Sequence, residues 1–253
     1  MRVTYLSDPT PPGPANDDFV LASNRFVVVL DGATAPAQVE TGCMHDVEWF
    51  AGQLGTWLGR ILTTQREIAL ARVLSAAIQA TCDAHSGTCD LSNPDSPSAT
   101  VTILRDRPGE DVVDYLVLSD STLLLESHDG GITAITDDRT QHLPDYAPAA
   151  VRRLRNSPGG FWVAGTRPEA AEHAITGTRP RSGVRRAALL SDGAARLVER
   201  YGRTWRELLD IAEHEGLEAL LRLTRDEEAR TPEGRFRGKR FDDSTAAFCH
   251  FGA

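Results

Sequence analysis

The residues best suited to chemistry in this chain are acids set at the ends of apolar runs. Phe26-Val27-Val28-Val29-Leu30 runs into Asp31-Gly32, and Ala187-Ala188-Leu189-Leu190-Ser191 runs into Asp192-Gly193. Asp242-Asp243-Ser244-Thr245 opens onto Ala246-Ala247-Phe248, and Asn16-Asp17-Asp18 stands just upstream of the first run. An acid at a strand terminus is held by a rigid element yet faces a cleft, which suits metal ligation. Hard dications such as Mg²⁺ or Mn²⁺ take oxygen ligands from carboxylates, carbonyls and water. Asp17, Asp18, Asp31, Asp192 and Asp242 come from distant segments, and the sequence sets no matching basic residue beside any of them. Gathering them in one cleft is costly unless cations bind there. Singly, each has a plainer explanation: Asp-Gly after a strand is a common turn, and Asp at a helix start is a common cap.

The elements that must position these acids follow from periodicity. Phe19 to Ala22 and Phe26 to Leu30 read as strands around a turn at Ser23-Asn24. Val47, Phe50, Leu54, Trp57, Leu58 and Ile61 recur at helical spacing from about 45 to 62. A second such helix is expected over about 65 to 84, with Thr64 as its N-cap. Four short β-rich runs follow, Ala99–Leu104, Val112–Leu118, Thr122–Glu126 and Ile132–Thr136, separated by turn chemistry. They predict a β-meander in an antiparallel sheet. A short helix is expected over 145–156, a strand over 161–164, and a helix from Pro168 to near Gly177. Helices over 195–201 and 205–228, the latter broken near Gly216, and strands at 187–191 and 245–251 complete the chain. The Pro-rich stretch from Pro9 to Pro14 suits an extended arm, and 231–240 reads as a mobile loop. The expected class is α+β: an antiparallel β-sandwich flanked by helices on both sides, as one domain over 1–253.

Bulk properties narrow the partners. The chain has 253 residues, 27 Lys+Arg against 36 Asp+Glu, and a net charge of −9. That balance argues against nucleic acid, which needs a concentrated basic face. The short basic runs at 152–155 and 179–186 read as solvated faces. No apolar run approaches the roughly 18 residues a membrane span needs, and the first residues lack the apolar centre of a secretory signal. A cytoplasmic protein is expected. Among the four cysteines, Cys82 and Cys89 flank His85, but the spacing fits no standard zinc pattern and no fourth ligand is evident nearby, so structural zinc is not expected.

Five segments in order resemble the motifs of the metal-dependent, type 2C (PPM-type) protein phosphatases, in a divergent, bacterial-like form. They are Asn16-Asp17-Asp18, Val28-Val29-Leu30-Asp31-Gly32, Val117-Leu118-Ser119-Asp120-Ser121, Leu189-Leu190-Ser191-Asp192-Gly193 and Asp242-Asp243-Ser244-Thr245. The likeness spans about residues 16 to 250. It implies a phosphatase using two Mg²⁺ or Mn²⁺ ions. Asp31 would bridge them, Asp192 and Asp242 would complete the first, and Asp17 and the Gly32 carbonyl would serve the second, with Asp18 holding its waters. Asp120 would belong to a third ion. The implied fold, a β-sandwich with helices outside, agrees with the pattern reading.

The departures from the family are specific. The phosphate-binding Arg position is Gly13, the first acid is Asp17 rather than Glu, and Ala33-Thr34-Ala35 follows Asp31-Gly32 where a general-acid His is common. The position four residues after Asp192 holds Arg196 instead of an acid, which puts a third ion in doubt. Arg196 is a candidate for the missing phosphate contact and His45 for the missing acid. Three readings stay open: a phosphoserine/phosphothreonine protein phosphatase, a phosphatase on a small phosphorylated metabolite, and a phosphatase-fold interaction or regulatory module. The partner is accordingly a phosphorylated protein or small molecule, with no nucleic acid and no membrane.

Overall fold

The computed structural model describes every residue except 12, 14, 34–37, 86 and 253. Its strands are β1 (Arg2–Asp8), β2 (Phe19–Ala22), β3 (Phe26–Ala33), β4 (Ser98–Arg107), β5 (Val112–Leu118), β6 (Thr122–Ser127), β7 (Ile132–Ile135), β8 (Ile175–Pro180), β9 (Val184–Leu190) and β10 (Ser244–His250). The helices are α1 (Val47–Thr64), α2 (Leu70–Ala84), α3 (Pro148–Leu154), α4 (Asp192–Glu199), α5 (Trp205–His214) and α6 (Leu217–Arg230). Two five-stranded antiparallel sheets form, in the orders β1-β10-β9-β6-β7 and β2-β3-β4-β5-β8.

Side-chain alternation assigns the layers. On β3, Val28 and Leu30 join the cluster under α1 and α2, while Val27 and Val29 point into the layer between the sheets. On β9, Ala187 and Leu189 face that same inner layer, and Ala188 and Leu190 face α4, α5 and α6. A strand buried on both faces reads as a continuous apolar run, and each fully buried Val or Leu contributes ~1.5–3 kcal/mol. The α+β sandwich with helices outside both sheets is therefore the architecture the sequence predicts.

Several local expectations are corrected. The four-strand meander divides: β4 and β5 belong to one sheet, β6 and β7 to the other. The crossover is Ser119-Asp120-Ser121, with Ser119 at φ 69°. Residues 2–8 form a full edge strand on β10, ahead of the Pro-rich stretch, where the sequence reading placed no strand. The segment from Pro168 is a 3₁₀ turn over Pro168–His173, and the chain then becomes strand β8 beside β5, where Gly177 leaves room for the Tyr115 ring. Phe161 and Ala164 make only isolated bridges. Thr64 ends α1, its hydroxyl donating to the Arg60 carbonyl, and α2 begins at Leu70 without a side-chain cap. The break at Gly216 is where expected, with φ 91° separating α5 from α6.

The basic run at 179–186 is only partly a solvated face: Arg179 is exposed, but Arg181 and Arg186 are engaged inside the protein. Arg181 pairs with Asp106 at 3.0 Å, and Arg186 is wholly buried. The Arg186 guanidinium bonds Glu126, Glu213 at 2.7 Å, Asp210 at 2.5 Å and the Leu209 carbonyl at 3.0 Å. Arg185 and Arg206 add further donors to Glu126 at 2.9 and 3.0 Å. This network ties β6 and β9 to α5. Removing the buried Glu126 carboxylate leaves Arg186 without its main partner, so Glu126→Ala should lower unfolding free energy by about 3–5 kcal/mol. Urea unfolding measures this; a loss below about 1 kcal/mol would show that the remaining acids suffice.

Candidate active site

The acids named from the sequence meet where strand ends of both sheets face each other. Asp31 lies two residues before the end of β3, Asp192 is the first residue of α4 after β9, Asp242 precedes β10, and Asp120 occupies the β5–β6 crossover. Asp192 donates its backbone N–H to Asp31 Oδ2 at 3.0 Å, which joins the two sheets directly. Asp31 and Asp192 each lie within electrostatic range of Asp120, Asp31 also of Asp18, and Asp192 also of Asp242.

The non-acidic residues of the motifs act as scaffold. Ser191 N–H donates to the Thr245 carbonyl and Thr245 N–H donates to Ser191 Oγ, both at 2.9 Å. Their hydroxyls lie close enough to Asp18 to favour its charged form. Asn16 Oδ1 accepts from Asp18 N–H at 3.0 Å, and Asn16 Nδ2 donates to Ser7 on β1 at 2.8 Å. Asp243 accepts from the backbone N–H groups of Thr10 and Asp17, at 2.7 and 2.8 Å. It therefore sets the course of the chain through Asp17.

Gly32 allows the closest approach. A Cβ there would sit 2.3 Å from the Asp17 carbonyl oxygen and 2.4 Å from Val47. Any side chain would push the 16–18 segment off the end of β3. Gly193 is equally confined, with a virtual Cβ 2.0 Å from the Asp243 carbonyl.

The electrostatics of the acids are those of a cation site. Burial first, then Asp192, Asp18 and Asp120, push the Asp31 carboxyl well above the usual range. Asp18 is raised to about 7, chiefly by burial, with Asp243 and Asp192 adding to it. Asp192 is raised to about 6 by burial and then by Asp242. Asp18 Oδ2 is buried without a hydrogen-bond partner, a costly state for a carboxylate oxygen. An all-oxygen donor set carrying this much unbalanced negative charge fits hard divalent cations.

Three findings change the sequence reading of the surroundings. First, Asp242 does have basic partners: Arg196 at 2.7 Å and Lys239 at 3.3 Å. Second, Arg196 is buried, with its other terminal nitrogen on Glu228 and the Arg240 carbonyl. Its guanidinium is thus engaged within the protein. Third, His45 sits between sulphurs, with Nδ1 3.6 Å from Cys43 Sγ and 3.4 Å from Cys89 Sγ, and its ring stacked on Trp49. Those contacts differ in kind from the carboxylate group at the strand ends. The stretch after Ala33, where the sequence lacks a His, continues into 34–37, outside the described residues. Gly13, in place of the phosphate-binding Arg, is exposed and bonded to Thr10 in a turn.

Two residues escaped the sequence reading. Glu199, at the end of α4, lies in range of Asp192 and Asp120. Its carboxyl is raised, first by desolvation and then by those two charges; the residue is itself exposed, so solvent tempers both effects. The signal was available, since Glu199 lies two helical turns beyond Asp192 on the same helix. Lys239 lies three residues before Asp242 and is also in range of Asp17 and Asp243.

Comparison with known proteins agrees with this geometry. The family model for protein phosphatase 2C matches residues 13–224. The chain belongs to that family, and it is a metal-dependent phosphatase by class. Among solved structures, the serine/threonine phosphatase PstP/Ppp of Mycobacterium tuberculosis is similar over 100% of this chain and 99% of its own, at 21% identity and a TM-score of 0.63. The catalytic domain of PstP in complex with two manganese ions aligns over 98% and 96%, at 21% identity and a TM-score of 0.59. Stp1 of Staphylococcus aureus aligns over 100% and 96%, at 15% identity and a TM-score of 0.64. At these identities the likeness establishes the fold. No curated protein matches the chain in sequence. No helix among the described residues is long and apolar enough to cross a membrane.

The raised carboxyls give a signed pH dependence. Asp18 and Asp192 titrate near 4 when unfolded and near 7 and 6 when folded, so the folded chain holds protons that the unfolded chain has released. The stability they contribute is present at acid pH and lost as pH rises through about 6 to 7. With chelator present, Tm should fall between about pH 5.5 and pH 8. Added Mn²⁺ should restore more of it at the higher pH, where fewer protons compete. Thermal unfolding at the two pH values reads this; a Mn²⁺ effect independent of pH would contradict it.

Proposed function

We propose that the chain is a Mg²⁺- or Mn²⁺-dependent phosphomonoester hydrolase acting on phosphoserine or phosphothreonine in proteins. The observation that carries the reading is the gathering of buried Asp18, Asp31 and Asp192 within electrostatic range of one another and of Asp120 and Asp242, with the direct basic partners, Arg196 and Lys239, on Asp242. Asp31, Asp192 and Asp242 are assigned to one ion and Asp31, Asp17 and the Gly32 carbonyl to a second, with Asp18 orienting water beside it. Two such ions would lower the pKa of an attacking water and clamp the phosphoryl oxygens.

The chain's own residues then have distinct duties. Asp31 is central, because it takes the Asp192 N–H across the two sheets while its carboxylate faces both groups of acids. Asp243, Ser191 and Thr245 orient rather than ligate. Arg196 is read as a positioning residue that fixes Asp242, its other contacts being Glu228 and Arg240. The phosphate contact is assigned to Lys239, whose ammonium is largely exposed and stands at the edge of the acids. A point charge on a flexible stem tolerates varied phosphate esters. The turn at Gly13, which offers no cationic side chain, keeps small phosphorylated metabolites in view as substrates.

Purified protein should hydrolyse an aryl phosphate with Mn²⁺ and stop with chelator. Asp192→Asn should reduce kcat on the order of 100-fold or more; a variant as active as the wild type would overturn the assignment. Lys239→Met should raise KM about fivefold, roughly 1 kcal/mol, with kcat little changed. An unaltered KM would remove Lys239 from the phosphate site. Turnover of phosphopeptides against a panel of phosphorylated metabolites separates the two substrate classes.

A further inference from the structure

A second group of metal-binding side chains lies apart from the carboxylates. Cys43 and His45 stand just before α1, and His85 and Cys89 stand just after α2. Together they place one ligand atom each within 4.8 Å of all the others. The sequence offered the pattern in two halves, Cys43-x-His45 and His85-x-x-x-Cys89, about forty residues apart. Only the antiparallel pairing of α1 and α2 brings the N-terminal end of one beside the C-terminal end of the other. Cys82, the residue the sequence reading weighed instead, turns away and donates to the Thr166 carbonyl.

We propose that Cys43, His45, His85 and Cys89 form a structural Zn²⁺ site. Zn–S bonds near 2.3 Å and Zn–N bonds near 2.05 Å, in a tetrahedron, require S···N edges of about 3.6 Å and an S···S edge of about 3.8 Å. The His45 Nδ1 edges to the two sulphurs are 3.6 and 3.4 Å, and the Cys43–Cys89 Sγ···Sγ edge is 3.3 Å. These are tetrahedral edges to within about half an ångström. The sulphur separation is also far beyond the roughly 2.05 Å of a disulfide, and both cysteines are free.

The surroundings are those a zinc site needs. His85 is buried and donates its Nδ1–H to the Thr81 carbonyl at 2.8 Å, one turn back on α2. This fixes the tautomer and leaves Nε2 as the ligand atom. The Met44 backbone N–H points at Cys89 Sγ at 3.4 Å, a donor suited to a thiolate. Trp49 packs flat on His45 at 3.8 Å and edge-on to His85 at 4.8 Å, so both rings are oriented from α1. Two thiolates and two neutral imidazoles balance the ion's charge, and each thiol passes its proton to solvent on binding. Soft sulphur ligands select zinc here, whereas the all-oxygen cleft selects Mg²⁺ or Mn²⁺.

The site's use is mechanical. It would clamp the 38–46 segment, which leads from the Asp31 strand to α1, onto the 85–96 loop. Existing ties already run the same way: Asp90 N–H to the Gly42 carbonyl at 2.8 Å, Asn93 Nδ2 to the Glu40 carbonyl at 2.8 Å, and Ser96 Oγ to the Thr41 carbonyl at 3.3 Å. His45 is then a zinc ligand, which removes it from acid catalysis.

The test is cobalt substitution in the full chain, reduced, stripped with chelator and titrated with Co²⁺. The expected result is a near-ultraviolet thiolate-to-cobalt charge-transfer band with the visible bands of a tetrahedral ion. It should saturate at one equivalent and be reversed by Zn²⁺. Carboxylate-bound cobalt gives no thiolate band, so the readout is independent of the active site. Cys82→Ser should keep the spectrum, and Cys43→Ser/Cys89→Ser should lose it along with the zinc found in protein purified without chelator. A wild-type protein with no thiolate band would overturn the proposal, as would a Cys43–Cys89 disulfide in protein kept under reducing conditions.

Discussion

Repulsion among carboxylates is the constraint on which the rest of this structure depends. Asp18, Asp31 and Asp192 are raised first by burial and then by neighbouring acids: Asp243 and Asp192 on Asp18; Asp192, Asp18 and Asp120 on Asp31; and Asp242 and Asp120 on Asp192. A folded chain keeps such an arrangement only if rigid elements impose it and a cation offsets it in use. The rigid elements are present: Asp31, Asp192 and Asp242 sit at or beside the ends of β3, β9 and β10, strands of largely buried residues, and Asp18 directly precedes β2. The basic groups are present too, but set to one side. Arg196 and Lys239 both approach Asp242, and Arg196 and Arg200 also act on Asp192, whereas the main charge influences on Asp31 and Asp18 are other acids.

The two-sheet architecture makes the convergence possible. Each sheet supplies strand ends that alone would present one or two acids to solvent. The Asp192–Asp31 hydrogen bond and the β5–β6 crossover at Asp120 join them face to face. Gly32 and Gly193 permit the remaining backbone to close around the group, since a methyl at either would collide with a carbonyl. The same layered frame explains the buried Arg186 network, which fastens α5 to the sheet on the far side without entering the cleft.

The strands and the acids at their ends were legible in the sequence because continuous apolar runs ending in Asp-Gly carry both signals at once. The crossover between β5 and β6 was not, because a turn within a sheet and a turn between sheets share the same Ser-Asp-Ser chemistry. Strand β8 was hidden by Pro168, a helix opener that here starts only a 3₁₀ turn. The partners of Asp242 depended on α4, α6 and the 231–240 segment folding together. The Cys43–His45–His85–Cys89 group was invisible for a like reason: its halves are joined only by helix pairing. Arg196 illustrates the limit from the other side: its forked guanidinium made it a candidate phosphate contact, and only the fold shows that guanidinium buried on Glu228 and Asp242.

The central claim is that these carboxylates gather to hold two hard cations. Electron paramagnetic resonance of Mn²⁺ titrated into chelator-treated protein near pH 7.5 tests it most directly. Two ions bridged by Asp31 should give an exchange-coupled spectrum at two equivalents, and Asp31→Asn should abolish the coupling while leaving at most one bound ion. A wild-type protein that binds no Mn²⁺, or binds two ions without coupling that depends on Asp31, would contradict the account.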